Sequence, residues 1–333
     1  MPRAQGEAIR RALIDEGALD VTRKVRLVGD HLLLPLIDTQ ARHGHEVVMA
    51  DLQKIGPKHV DYRDLLPADL SDAEREALPT SFDVIGHVLI IKIPAALQAR
   101  EAAIAAALLE ATPRVETVAH DDGVQGELRT RALRILAGEP TTLTTHTEYG
   151  VRILVDPATC YFSPRLATER YRVAKLVADG EIIVDLMAGV APFALVIARH
   201  AKPAHIDAVD LNAAAIALAH RNVAINKMAD IIHCEAADAR VWVAAHEGMA
   251  DRVITNLPHS AHAFLEAALS VLKPTGGVWH YHGIHAPEDL GRHLAELAER
   301  AARIGRTIEV KGTRIVRAFS PRENHYAVDF DVR

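Results

Sequence analysis

Ile182-Ile183-Val184-Asp185-Leu186-Met187-Ala188-Gly189-Val190-Ala191-Pro192-Phe193 is the stretch whose reading decides the fold. A short apolar run ends in an acid, small residues make a turn, and Phe193-Ala194-Leu195-Val196-Ile197-Ala198 reads as helix. Further on, Ile206-Asp207-Ala208-Val209-Asp210-Leu211-Asn212 is a second strand that also ends in an acid. Strand, glycine turn, helix, strand and acid in that order make a Rossmann-like unit that binds a ribose-containing cofactor.

Outward from this unit, strand and helix alternate from about residue 157 to the end. Strands are expected at 181–185, 205–210, 231–235, 252–256 and 277–281, with a closing hairpin from 314–318 and 325–332. Five strands with intervening helices and a final antiparallel pair follow the class I methyltransferase layout rather than a dehydrogenase. The expected fold class is therefore α/β: a class I (Rossmann-like) S-adenosylmethionine methyltransferase domain at 157–333, with α+β domains before it. Residues 1–67 form a small unit, with a helix-like run at 8–19 and two strands around Gly29-Asp30. A polar linker at 67–81 carries two prolines, and 75–156 reads as a middle α+β domain. Within it, 82–94 is strand-like, 96–112 helical and 115–119 a strand.

Composition narrows the class. At 333 residues the chain is too long for one small core, and its 49% hydrophobic and 25% charged residues are those of a globular protein. No apolar run reaches the roughly 18 residues of a membrane span, and no signal or transit peptide is evident. Cys160 and Cys234 have no metal-ligand spacing, so a reducing, cytoplasmic location and no metal are expected. The net charge of -6 does not itself suggest a nucleic-acid binder, but a local basic face can coexist with it.

Ligands of open α/β sheets sit beyond the carboxyl ends of the strands. Four strand ends carry polar residues here: Asp185, Asp210, Asp238 and Asn256. Asp210 is placed to take both ribose hydroxyls, with Leu211 beside it; Asp238 and Ala239 are placed to meet an adenine. Gly189 lets the backbone approach the amino-acid part. Ala188-Gly189-Val190-Ala191-Pro192 lacks the glycines of a dinucleotide turn, and Pro192 removes an N–H donor. The cofactor expected is S-adenosylmethionine. Arg129, Arg131 and Arg134 stand at i, i+2 and i+5; on a strand the first two share a face that can hold phosphates or a polarised carbonyl oxygen, the alternative being a solvated charged strand. Asn256-Leu257-Pro258-His259 departs from the Asn-Pro-Pro-aromatic tetrad of many amino-methyltransferases, which favours a ring nitrogen as target.

Together with Tyr161-Phe162-Ser163-Pro164-Arg165-Leu166-Ala167-Thr168-Glu169-Arg170, these segments resemble the archaeal and eukaryotic type of tRNA (guanine-N1)-methyltransferase. Ser81 to Gly86, Phe319-Ser320-Pro321 and His325 to Val332 share the likeness, which spans about 81–333. Met187 and Ala191 stand where the family usually has Phe and Gly. Ala191 suits that place only if its φ is negative, and it would crowd the methionine moiety.

The resemblance implies transfer of a methyl group to N1 of the guanine 3′ of the anticodon, position 37, by in-line displacement that depends on orientation. N1 carries a proton at neutral pH, so a base and a donor for charge growing on O6 are required. By resemblance Glu169 is the base and Arg129 the cation near O6, while Tyr161 and Asn256 position the guanine and Pro258 shapes the pocket. Arg170 serves the cofactor carboxylate, Asn256 also borders the cofactor, and Arg131 and Arg165 meet the substrate. Tyr161 and Phe162 would stack on an extruded base, with Arg165, Arg170, Arg172 and Lys175 as the local basic face. A bland alternative pairs Glu169 with Arg172 or Arg165. The partner implied is tRNA, met at the anticodon loop and, through residues 1–67, at the elbow, by a monomer. Rivals are a wyosine-pathway enzyme (precursor methyltransferase or aminocarboxypropyl transferase) and a catalytically silent tRNA-binding protein.

Overall fold

The computed structural model describes residues 1–53, 60–126, 128 and 130–333. Met1–Asp61 and Tyr62–Arg333 are two compact units. In the first, helix α1 (Gly6–Asp15) precedes an antiparallel pair, β1 (Arg26–Val28) and β2 (His31–Leu33), joined at Gly29-Asp30 as the turn residues require. Leu13, Ala18 and Leu19 form its small core, with Ile9, Leu34 and Leu36 packed against them.

The second unit opens with a short turn at Tyr62–Leu65, and a helix stands where a polar linker was expected. Helix α2 (Asp72–Glu76) is held by a capping box in which Ser71 and Glu74 satisfy each other's backbone N–H groups. Tyr62, Leu70 and Leu78 around it are buried against Ile104 and Leu108. The signature was present as Ser71-x-x-Glu74 and outweighs the prolines. The apolar run from residue 82 forms two strands instead of one: β3 (Asp83–Ile85) and β4 (Val88–Ile91) turn back at Gly86-His87. Gly86 has φ +55°, and a Cβ there would come within 2.2 Å of Thr144 Oγ1, so only glycine fits. Helix α3 (Glu101–Ala111), β5 (Thr117–Gln125) and β6 (Thr130–Gly138) complete a four-stranded sheet in the order β3-β4-β5-β6.

A hairpin of β7 (Thr144–Glu148) and β8 (Val151–Val155) follows, then α4 (Ala167–Leu176). The main sheet comprises β9 (Ile182–Asp185), β10 (His205–Asp210), β11 (Ile232–Ala236), β12 (Arg252–Thr255), β13 (Gly277–His285), β14 (Ile308–Ala318) and β15 (Asn324–Val332). Its helices are α5 (Pro192–His200), α6 (Ala213–Ile225), α7 (Ala239–Val243), α8 (Leu265–Val271) and α9 (Pro287–Arg303). The strand order is β11-β10-β9-β12-β13-β15-β14, with β9 to β13 parallel and β15 antiparallel to both neighbours. This is the expected class I methyltransferase sheet.

Its central strands are apolar throughout because both faces are covered. Ile183, Ala208 and Ile254 pack beneath Leu195, Val196 and Ala219, while Val184, Val209 and Val253 face Leu269, Trp279 and Leu297. Asn222 on α6 is fully buried: its Oδ1 accepts from Leu154 N at 2.7 Å, and its Nδ2 donates to Leu154 O and Val190 O, both at 3.0 Å. One amide thus pins the hairpin to the helix and the helix to the glycine turn. No helix among the described residues is long and apolar enough to cross a membrane.

Candidate active site

Chain order reverses at β9, which has β10 on one side and β12 on the other, so a crevice opens at its carboxyl end. Asp185 ends the strand, and Gly189 makes the turn with φ +54°, a conformation costly for a residue with a Cβ. A Cβ at Gly189 would be 3.6 Å from Tyr161 O, an ordinary contact, so the glycine serves conformation rather than space. The Gly189 N–H donates to Asp210 Oδ2 at 2.7 Å, and the Asn212 N–H donates to Oδ1 at 2.8 Å. Asp210 therefore clamps the turn from the next strand. Burial pushes its carboxyl up, against the pull of those two N–H groups.

Ala191 caps α5 with φ +64° and ψ +35°, so the condition set for an alanine at this place is not met. It is fully buried in the core and does not line the cavity, however. Its strain bears on folding, and the expected crowding of the methionine moiety is not what the structure shows.

A cavity of about 440 Å³ occupies the crevice. Of the residues expected there, Tyr161, Arg131, Arg165, Arg170, Gly189, Asp210, Leu211, Asp238, Ala239, Asn256 and Pro258 line it. Asp185 and Glu169 do not. Asp185 is buried behind the turn, accepts from Met187 N at 3.3 Å, and its Oδ2 has no partner. Burial, with Asp210 nearby, pushes its carboxyl up to about 7. Arg129 lies outside the described residues.

The wall fits S-adenosylmethionine. Leu186, Met187, Leu211 and Ala239 supply apolar surface, Asp210 presents a fixed carboxylate, and Asn256 Oδ1 is a buried acceptor without a partner. Asp238 caps α7, and Arg240 engages it with Nε at 3.0 Å and Nη2 at 2.7 Å, holding its carboxyl below the usual range.

Ion pairs use up most of the expected cations. Arg170 is 1% exposed, gives both Nε and Nη2 to Glu148 at 2.5 Å, and lies 5.2 Å from the Phe162 ring. A guanidinium so committed is a scaffold for the wall, and Phe162 beneath it is buried rather than open for stacking. Arg131 pairs with Asp83 at 3.3 Å and Asp121 at 3.5 Å, and Arg165 pairs with the same Asp83 at 2.8 Å. Arg172 is bound to Glu169 and Asp329. The basic face expected around residue 170 is therefore largely neutralised. The pairing of Glu169 with Arg172 is the alternative open in the sequence; Glu169 is 4% exposed at the first turn of α4.

Sequence reasoning missed Arg240, Phe264, Ile284, Arg317 and Phe319 as parts of the wall, and also His325. Phe319 and His325 sat in segments that carried the family likeness, which was a usable signal. Arg317 had none, because its position depends on how β14 pairs.

Comparison with known proteins agrees with this geometry. Residues 144–311 match the TRM5/TYW2 methyltransferase domain, residues 62–141 the TYW2 N-terminal domain and residues 1–41 the tRNA methyltransferase 5 N-terminal domain. A curated tRNA (guanine(37)-N(1))-methyltransferase Trm5b of Pyrococcus abyssi is 40% identical, covering 100% of this chain and 98% of its own. The solved complex of aTrm5 and tRNALeu is 32% identical with a TM-score of 0.74, covering 99% of this chain and 98% of that one. A tRNA(Phe) (4-demethylwyosine(37)-C(7)) aminocarboxypropyltransferase of Pyrococcus horikoshii is 28% identical over 81% of this chain and 95% of its own. Full-length identity on one side and partial coverage on the other place the chain plainly: it belongs to the TRM5/TYW2 methyltransferase family, in its Trm5 branch.

Proposed function

We propose that this chain methylates N1 of guanine 37 in tRNA, using S-adenosylmethionine. The observation that carries this reading is that one cavity joins the Asp210-clamped turn to Tyr161, Asn256 and Pro258. Groups suited to the cofactor and groups suited to a base thus share one wall. The cofactor, when bound, supplies a methyl group on a sulfonium, open to attack by a ring nitrogen.

The chain's own residues orient the nitrogen and manage its proton. Asn256 Oδ1, buried and unpartnered, accepts an N–H of the guanine. Pro258 O accepts from Ile284 N at 3.1 Å, which fixes the loop after β12. Tyr161 borders the base, and Arg131 and Arg165, set by Asp83, meet the flanking nucleotides. Glu169 takes the N1 proton after exchanging Arg172, and Arg129 stands near O6. Removal of a well-placed base costs about 10² to 10⁴ in rate.

The three-part organisation belongs to the same reading: 1–67 docks on tRNA at its elbow, 75–156 supports the substrate side, and 157–333 carries the chemistry in a monomer. The test is a tritiated-methyl assay on unmodified transcripts with guanine or another base at position 37, followed by nucleoside mass spectrometry. N1-methylguanosine only in the guanine-bearing transcript is expected. Equal labelling of both transcripts, or another product such as an aminocarboxypropyl nucleoside, would sink it.

A further inference from the structure

Strand β14 slips its register between Ile315 and Arg317. Such a bulge bends a strand and re-aims the side chains beyond it. Past the slip, Arg317 pairs across the ladder with His325, and both line the cavity. Phe319 follows on the same wall, 41% exposed, with the Arg317 guanidinium carbon 5.9 Å from its ring centre and the His259 ring at 5.2 Å.

Arg317 differs from the other guanidiniums of the cavity. Arg131, Arg165, Arg170 and Arg240 each grip a carboxylate. Arg317 has no such partner among the described residues, and its Nε is buried without an acceptor. A buried donor left unsatisfied is destabilising, more so when charged. A ligand that supplies the acceptor removes that cost. Its cross-strand neighbour His325 is engaged with His282 at 3.1 Å, and burial, with Arg317 and His259 close by, holds its imidazole down to about 4.

We infer that Arg317 and Phe319 hold the target nucleotide, Phe319 by stacking on the base and Arg317 by binding an anionic oxygen of the same nucleotide. The inference rests on the site being a guanine-N1 methyltransferase of tRNA. An extruded base loses its stacking partners and needs a replacement surface, which an aromatic ring supplies. A guanidinium supplies forked donors to a phosphate, or to O6 as the N1 proton leaves.

The experiment compares full-length parent, Arg317→Ala, Arg317→Lys and Phe319→Ala on a guanine-37 transcript. It reads cofactor affinity by calorimetry, tRNA affinity against salt by filter binding, and single-turnover rate. Arg317→Ala is expected to lower kcat/KM by about 10²-fold with cofactor affinity within about threefold of the parent. If the oxygen is a phosphate, the loss lies in tRNA affinity, the salt slope becomes shallower by about one, and Lys restores part of it. If it is O6, the loss lies in single-turnover rate at saturating tRNA, with the slope unchanged. Phe319→Ala should weaken tRNA binding at any salt. Rate and tRNA affinity of Arg317→Ala both within threefold of the parent overturn the inference. So does a parallel loss of cofactor affinity, which would make Arg317 a structural part. A parent that bound tRNA but formed no N1-methylguanosine would defeat the functional reading instead, and the affinity ratio of variant to parent would still decide this one.

Discussion

Arg172 grips Glu169 through Nη2 to Oε1 at 2.6 Å and Nε to Oε2 at 2.9 Å, while the same guanidinium reaches Asp329 at 2.7 and 2.9 Å. The spacing i, i+3 on α4 brings the first pair together, and β15 delivers the second. His280 Nδ1 donates to Asp329 Oδ1 at 2.6 Å, the oxygen that Arg172 Nη2 also reaches. The carboxylate proposed to take a proton is thus parked in a buried network behind the cavity. For Glu169→Gln we expect cofactor affinity within threefold of the parent and a single-turnover rate lower by about 10²-fold or more. A rate near that of the parent would assign the carboxylate to structure alone.

Replacing Arg172 by Ala takes the shared guanidinium from Glu169 and Asp329, leaving Glu169 with Arg314 at 3.8 Å and Asp329 with His280. Burial opposes ionisation of Asp329, yet His280 and Arg172 hold its carboxyl well below the ordinary range. Loss of one partner of such a group costs about 3–5 kcal/mol. Urea unfolding at pH 7 measures it, and a loss below about 1 kcal/mol would show that the pair relaxes freely.

Asp185 gives stability a pH dependence of opposite sign to that of a salt-bridged acid. Its folded carboxyl stands near 7, mainly through burial, against about 3.9 in an unfolded chain. Between those values the folded state binds the extra proton, so stability falls as pH rises from about 4 to 7 and then levels off. Asp185→Asn removes the titration. The variant should match the parent near pH 4 and exceed it by on the order of 4 kcal/mol at pH 8. Denaturation midpoints at the two pH values decide, and an equal difference at both would contradict the assignment.

Ala191 occupies the left-handed region at φ +64°. A Cβ there costs about 1–2 kcal/mol, partly offset by the greater freedom glycine loses on folding. Ala191→Gly should therefore stabilise by about 0.5–1 kcal/mol. An unchanged or lower melting temperature would mean that the methyl group's packing in the core outweighs the strain.

Asp210→Ala removes the clamp on the Gly189 and Asn212 N–H groups together with the acid on the cavity wall. Hydrogen bonds to a charged group are worth about 1.5–3 kcal/mol each, so the dissociation constant for S-adenosylmethionine should rise by about 30-fold or more. Calorimetry reads this directly, and a shift under threefold would remove Asp210 from the cofactor site.

Most of the main sheet was legible because period and punctuation agree there. Apolar runs with both faces covered, each ending in a polar residue, mark parallel strands without any partner being known. Strand β10 was expected with the bounds it has, and β9 within a residue. Less was legible where a single residue overrides a run, as Gly86 does in dividing β3 from β4, or where a short capping box hides in a polar stretch, as at Ser71 and Glu74.

The sequence by itself determined the sheet, the order of the acids at its strand ends and the segment from Tyr161 to Arg170 before the glycine turn. These are local patterns, carried by residue type and spacing along one strand or one turn. What only the tertiary structure decided is which charges are available. Arg170 belongs to Glu148, Arg131 and Arg165 share Asp83, and Glu169 is held by Arg172, because these partners arrive from other elements. Arg317 faces the cavity with its Nε unmatched because β14 slips its register against β15. Spacing along the chain fixes where a side chain starts, and the packing of distant elements fixes what it meets.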